Sequence, residues 1–151
     1  MTFFSFSYNL DTIQHFENKD MKKIMIFGTF DMIHPGHINM IEQAKKYGDY
    51  LIVVIARDST VEKVKGRLPR NSEQARLQSM INSNLADKVI LGNEGDKFKV
   101  IQNEQPDVIA LGYDQKIIVE DLEKKVGENV QIVRLEPFKP EVYKTSLLLK
   151  D

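Results

Sequence analysis

The chain has 151 residues, about one domain's worth and enough to bury roughly two thirds of its unfolded surface. Its 21 lysines and arginines against 22 aspartates and glutamates nearly cancel, which excludes a global field that would hold nucleic acid or an anionic membrane and makes any anion site a local one. With no cysteine, disulfides, thiolate zinc sites and a cysteine nucleophile are excluded, and a soluble, cytoplasmic protein in a reducing compartment is the expectation.

Residues 1–20 stand apart. Phe3, Phe4, Phe6 and Tyr8 show no clear period, residues 15–20 are polar, and the basic start and small-residue cleavage site of a secretory signal are missing. Met21-Lys22-Lys23 looks like an ordinary start, so residues 1–20 read either as an appended arm or as a misassigned start, with the domain proper over 21–151. From Lys23 onward, apolar runs at 24–27, 51–55, 89–91, 108–111 and 130–133 read as five strands, several of them apolar at consecutive positions as in strands covered on both faces. The longest strongly apolar run, 51–56, is far too short to span a bilayer.

The first helix pattern, 36–47, places Ile38, Ile41 and Ala44 on one side and ends at Gly48 in the position of a C-terminal cap. A second starts near Asn71, whose side chain can cap while Gln74 reaches back, and buries Leu77, Met80 and Ile81. Further helices are expected over 97–103 and 117–125, with a short one after Lys144. Alternating strand and helix implies right-handed crossovers between parallel strands, hence a three-layer α/β/α, Rossmann-like fold with a five-stranded parallel sheet. Ligands in such sheets bind beyond the carboxyl ends of the strands, where strand order reverses.

The most informative segment, Gly28-Thr29-Phe30-Asp31-Met32-Ile33-His34-Pro35-Gly36-His37, leaves the first strand and enters the first helix. Exposed amides, the positive end of the helix dipole and two imidazoles converge there, which makes an anion site. Gly28 and Gly36 let backbone approach phosphate oxygens, Pro35 suits a first helical turn, and Thr29 offers a hydroxyl. Neither G-x-G-x-x-G nor G-x-x-x-x-G-K-[ST] is present, against a dinucleotide dehydrogenase or a P-loop NTPase. His34 and His37, three apart on a turn, can bond one phosphoryl group. Chance surface or core histidines are the bland alternative; a metal site from Asp31, His34 and His37 is another, without an H-E-x-x-H pattern or an evident fourth ligand.

The segment resembles the G-[TS]-F-D-x-x-H-x-G-H signature of the cytidylyltransferase-like nucleotidyltransferases. The resemblance continues through Lys65-Gly66-Arg67, Arg76, Leu111-Gly112-Tyr113-Asp114-Gln115 and Tyr143-Lys144-Thr145-Ser146, covering nearly all of 22–150. Ala56-Arg57-Asp58, Lys65-Gly66-Arg67, and Leu111-Gly112 followed by Asp114-Gln115 are most similar to the archaeal-type FAD synthases, which transfer AMP from ATP to FMN. Glycerol-3-phosphate cytidylyltransferase, which uses CTP, is a near neighbour, but its usual C-terminal R-T-x-G-I-S-T-T is absent here; Thr145 and Ser146, after Lys144, keep the hydroxyl pair.

The resemblance implies an enzyme that moves a nucleoside monophosphate from an NTP to a phosphorylated acceptor with release of pyrophosphate; a module that binds nucleotide without turning it over is the alternative of another class. It implies His34, His37 and Lys65 as catalytic residues. Nucleotide contacts are implied for Gly28, Thr29, Phe30, Asp31, His34, Gly36, His37, Arg76, Gly112, Asp114, Thr145 and Ser146. Lys65 and Arg67 are expected in a polar connection after the second strand, able to close over a triphosphate or simply solvated. Magnesium (Mg2+) is expected to come in with the NTP, with no protein ligand assigned, and a homodimer is expected. The helix N-terminus disfavours imidazolium and a bound triphosphate favours it, which leaves the histidines' protonation open.

Overall fold

The computed structural model of the chain describes residues 21–115 and 119–139. Five strands, β1 (Lys23–Gly28), β2 (Tyr50–Ile55), β3 (Lys88–Leu91), β4 (Val108–Leu111) and β5 (Gln131–Arg134), pair in parallel in the order β3-β2-β1-β4-β5. Between them run α1 (Pro35–Lys45), α2 (Asp58–Lys65), α3 (Glu73–Ser83), α4 (Lys99–Glu104) and α5 (Val119–Val126). The expected five-stranded parallel architecture is the one observed. The extension over 1–20 and the helix expected after Lys144 lie outside the described residues, as does the start of the one expected over 117–125.

Alternate residues of each central strand face opposite layers. Ile24, Ile26, Leu51, Val53, Ile55, Val108 and Ala110 pack against Ile41 and Ala44 of α1 and Met80 of α3. Met25, Ile52, Val54, Ile109 and Leu111 pack against Val100 and Ile101 of α4 and Leu122 of α5. Both faces are thus apolar and covered, as parallel strands require. Among the described residues no helix is long and apolar enough to cross a membrane.

Register is set at the amino edge by three aspartates that sequence reading passed over. Asp49, Asp87 and Asp107 each stand just before a strand, donating from the backbone and accepting through the side chain at the start of the neighbouring strand. Their carboxylates accept from the amides of Lys22 (3.2 Å), Leu51 (2.8 Å) and Lys23 (2.8 Å). Their own amides donate to the carbonyls of Lys22, Leu51 and Lys23. Each pair of bonds closes one strand start upon the next.

Several local expectations are corrected. Residues 58–65 form a helix rather than a polar connection, with Gly66 left-handed at its end (φ 77°). The cap of α3 is Ser72, whose hydroxyl accepts from the Ala75 amide; Asn71 is drawn away to Asp31. Ile38 and Ile81 are exposed, so α1 and α3 each bury a narrower stripe than their patterns implied. Helix α1 ends at Lys45 with Lys46 as its C-cap in the right-handed conformation, so Gly48 is not its cap. Gly48 is needed for close approach instead: a Cβ there would lie 2.6 Å from the Lys22 carbonyl oxygen and 2.8 Å from Ile24 Cδ1. Because one of those atoms is backbone in the amino-edge clamp, Gly48→Ala is expected to cost about 1–3 kcal/mol in urea unfolding, with the midpoint moving and the slope unchanged.

Candidate active site

The carboxyl ends of β1 and β4 lie side by side at the point where strand order reverses, since the chain steps outward from β1 through β2 to β3 and then returns to the other flank of β1. The turn leaving β1 is unusual. Phe30 adopts φ 50°, a left-handed conformation uncommon for a bulky residue, and is only 3% exposed. Its ring folds back over Gly28, where a Cβ would sit 2.5 Å from ring atom Cε2. Glycine at 28 therefore makes room for the aromatic ring at 30.

His34 is the N-cap of α1. Its backbone is extended, its carbonyl accepts from the amides of His37 (2.9 Å) and Ile38 (3.1 Å), and its Nδ1 accepts from the amide of Gly36 at 3.1 Å. Pro35 occupies the first helical position, where no N–H is required. An Nδ1 used as acceptor puts the proton of the neutral imidazole on Nε2. One turn on, the His37 ring stacks on that of His34 with centroids 3.7 Å apart and planes 24° apart, and meets Phe30 edge-on at 4.9 Å.

Burial lowers the pKa of both histidines from 6.5. For His37 desolvation is the largest cause; His34 and the Lys65 ammonium lower it further, a bond to the Met32 backbone opposes them, and the result is pushed down to about 3. Burial thus favours the neutral form of both rings at pH 7 in the protein without bound triphosphate.

Lys65, the last residue of α2, reaches back to this turn: its Nζ lies 3.4 Å from Thr29 Oγ1. Arg67 is exposed just beyond Gly66. Asp31 has its carboxylate engaged by the amides of Arg70 (2.8 Å) and Asn71 (2.9 Å) and by Asn71 Nδ2 (3.1 Å), so it anchors the connection between α2 and α3. Among the described residues no three histidine, aspartate or glutamate side chains come together as a metal site. Asp31, His34 and His37, though near in sequence, are turned to separate tasks.

Arg76, in α3, is 1% exposed. It donates to the carbonyls of Thr29 (2.8 Å) and Asn71 (3.0 Å) and pairs with Asp58 at 2.8 Å. On the other flank, Gln115 bridges two strand ends, accepting from the Gly112 amide and donating to the Phe27 carbonyl, each at 2.8 Å. Arg134 donates to the carbonyls of Gly112 and Gln115. A Cβ on Gly112 would make only ordinary contacts, at 3.5 Å from Asp114 Oδ1 and Met40 Sδ, and Asp114 is exposed. Thr145 and Ser146 lie outside the described residues.

Sequence reading gave no role to Arg57, Asp58 or Glu73, yet these join the starts of α2 and α3. Glu73 accepts from the Asp58 amide (3.0 Å) and pairs with Arg57 (2.8 Å), while Asp58 accepts from the Glu73 amide (3.3 Å). The bonds to the Asp58 amide and to Arg57 hold the Glu73 carboxyl below its ordinary pKa. Each helix is capped by the other's first residue.

Comparison with known proteins gives the family. Residues 25–148 match the family described as Cytidylyltransferase-like. A FAD synthase of Thermoplasma acidophilum is 41% identical over 133 residues, 86% of this chain and 93% of that one. A FAD synthase of Archaeoglobus profundus is 46% identical over 120 residues, 76% of this chain and 75% of that one. The crystal structure of a lipopolysaccharide core biosynthesis protein from Thermoplasma volcanium aligns with TM-score 0.74 at 41% identity, covering 79% of this chain and 99% of that one. A pantoate-beta-alanine ligase from Francisella tularensis, at TM-score 0.58 and 18% identity over 93% of this chain and 74% of that one, shares the fold alone. With the paired histidines at the open end of β1 and a match across most of its length, the chain belongs to the cytidylyltransferase-like family of nucleotidyltransferases.

Proposed function

We propose that the protein is an FMN adenylyltransferase, joining AMP from ATP to the phosphate of FMN to give FAD and pyrophosphate. The stacked His34–His37 pair at the start of α1, beside the end of β4, is the observation that carries this reading. The name FAD synthase borne by relatives about 40% identical over most of their length supports FMN as acceptor.

An oxygen of the FMN phosphate attacks the α-phosphorus of ATP in line, and the bond to pyrophosphate breaks on the opposite side. No covalent enzyme intermediate is needed, so the protein's contribution is positioning and donors aimed at charge developing on the phosphoryl oxygens. The imidazoles act here as hydrogen-bond donors; His34, with Nδ1 engaged by Gly36, offers Nε2–H. Lys65 supplies a full positive charge beside them, and the positive end of the α1 dipole adds a partial one. Magnesium belongs to the substrate, carried by the triphosphate and water, since Asp31 is committed to backbone amides. Gly112 and Asp114 are placed in this reading beside the base and ribose, and Thr145 and Ser146 beside the outer phosphates. In this reading the transferase domain is assigned to residues 21–151, the extension over 1–20 is either an appended arm or a misassigned start, and the working enzyme is a cytoplasmic homodimer.

Pyrophosphate release should occur with magnesium, ATP and FMN, and should fall at least about a hundredfold, on the order of 3 kcal/mol, in His37→Ala. Release with CTP and glycerol 3-phosphate instead would replace the acceptor and the base; tight ATP binding with no release in any pairing would leave a binding module.

The lowered pKa of His37 also makes stability depend on pH. The unfolded chain takes up this proton near pH 6.5 and the folded one only near 3, so the folded state is fully favoured above 6.5 and loses ground as pH falls between the two. From pH 7.5 to 5.5 the unfolding free energy should drop by about 1 kcal/mol through this ring. His37→Asn should flatten that slope in urea titrations at the two pH values.

A further inference from the structure

The Ala56-Arg57-Asp58 segment and Arg76 remain without a place in the reaction as described. We propose that the Asp58–Arg76 ion pair is a positioning device for the transfer step: it clamps the Thr29–Phe30 peptide in the strained turn that sets Phe30 against His37 and Thr29 within reach of Lys65. The proposal rests on the reading above that this turn belongs to the site of adenylyl transfer.

A guanidinium buried to 1% exposure is strongly unfavourable unless its donors are met. Here Nε, one N–H of Nη1 and one of Nη2 point at three separate segments: the Asn71 carbonyl before α3, the Thr29 carbonyl after β1, and Asp58 at the start of α2. The planar fork fixes those directions relative to each other. With so little of its surface open, Arg76 serves the site through Thr29 instead of reaching a phosphate itself.

Thr29 is where the pull is useful. The next residue, Phe30, sits at φ 50°, a conformation that costs on the order of 1–2 kcal/mol for a residue with a side chain and persists where its surroundings over-determine it. The bond from Arg76 holds the peptide plane between Thr29 and Phe30 from one side, and the Asp31 bonds to Arg70 and Asn71 hold the next residue from the other. A carbonyl that accepts from a cation also polarises the N–H of its own peptide, here that of Phe30. The turn in turn presses Phe30 on the edge of His37 and brings the Thr29 hydroxyl to 3.4 Å from Lys65. Since Lys65 ends the helix that Asp58 begins, Asp58, Arg76, Thr29 and Lys65 form a closed ring in which α2 is one side.

The test uses the full chain with Asp58→Asn and Arg76→Lys, and Glu73→Gln as a control that weakens the mutual capping of α2 and α3 while leaving the bond from Arg76 to Thr29 in place. With ATP and FMN, both ring variants are expected to lose about tenfold or more in kcat with the KM for ATP within about threefold of the parent. Glu73→Gln is expected to melt at a lower temperature and keep kcat within about twofold. On substrate-free protein, NMR titration of the His37 ring should show its pKa moving up toward 6.5 in the two ring variants, as Phe30 relaxes and water reaches the imidazole, and staying low in the control.

Unchanged kcat in folded Asp58→Asn, a rise in the KM for ATP with kcat retained, or equal losses in Glu73→Gln would each overturn the proposal. If Asp58→Asn does not fold, Asp58→Glu, which keeps the carboxylate but displaces it by one methylene, carries the same comparison. The His37 titration needs no substrate, so it decides the clamp even if the acceptor proves not to be FMN; transfer to FMN with an unmoved titration sinks the clamp alone.

Discussion

Parallel strands begin at one edge of a sheet and finish at the other, so each edge must be served by different chemistry. In this protein β1 is paired on both sides, to β2 and β4, and its last residue delivers the chain into the turn that carries Gly28, Thr29 and Phe30. Everything described at the active site depends on that central strand being held in register by neighbours whose own ends lie beside it. The amide of Ala56, after β2, donates to the Gly28 carbonyl, and Gln115, after β4, donates to that of Phe27. The turn is thus gripped from left and right before any ligand is considered.

The electrostatics are equally local. A chain with almost no net charge concentrates donors at one helix start, where the α1 amides, two imidazoles and Lys65 meet. The consequence is visible in the pKa of His37, which burial above all, and then the neighbouring His34 and Lys65, push down to about 3. The site waits as dipoles and one ammonium instead of as a cluster of cations, which is compatible with a folded empty state and still ready for a polyanion.

The fold and the centre of the site were legible because their signals are contiguous. Five apolar runs mark five strands, and the ten residues from Gly28 to His37 carry turn, cap, proline and both imidazoles in one stretch. Helix α2 was not legible, since Val61 is its one buried residue and its remaining positions read as a solvated connection. Asn71 and Ser72 are both good caps, and the choice between them was made by Asp31, forty residues earlier, which takes up Asn71. Nothing in a helix sequence distinguishes an arginine bound for water from one bound for burial, so the burial of Arg76, which the resemblance had marked as a nucleotide contact, emerged only when Asp58, Thr29 and Asn71 closed around it. Gly48 carried a real signal of the wrong kind, a helix-ending glycine whose task is contact with the strand beside it. The three strand-opening aspartates were in plain view, but their partners lie in other strands, and a linear reading has no register with which to pair them.

Those aspartates also divide the molecule into a half that can drift and a half that cannot. Strand alignment is settled at the edge where Asp49, Asp87 and Asp107 stand, opposite the carboxyl edge that carries the candidate site. Turns at the opposite edge can therefore be lengthened, shortened or exchanged without asking the sheet to find its alignment again. A scaffold divided in this way invites divergence at the carboxyl edge wherever a turn does not itself grip β1 as Gln115 does, while the clamps at the far edge keep the strands aligned.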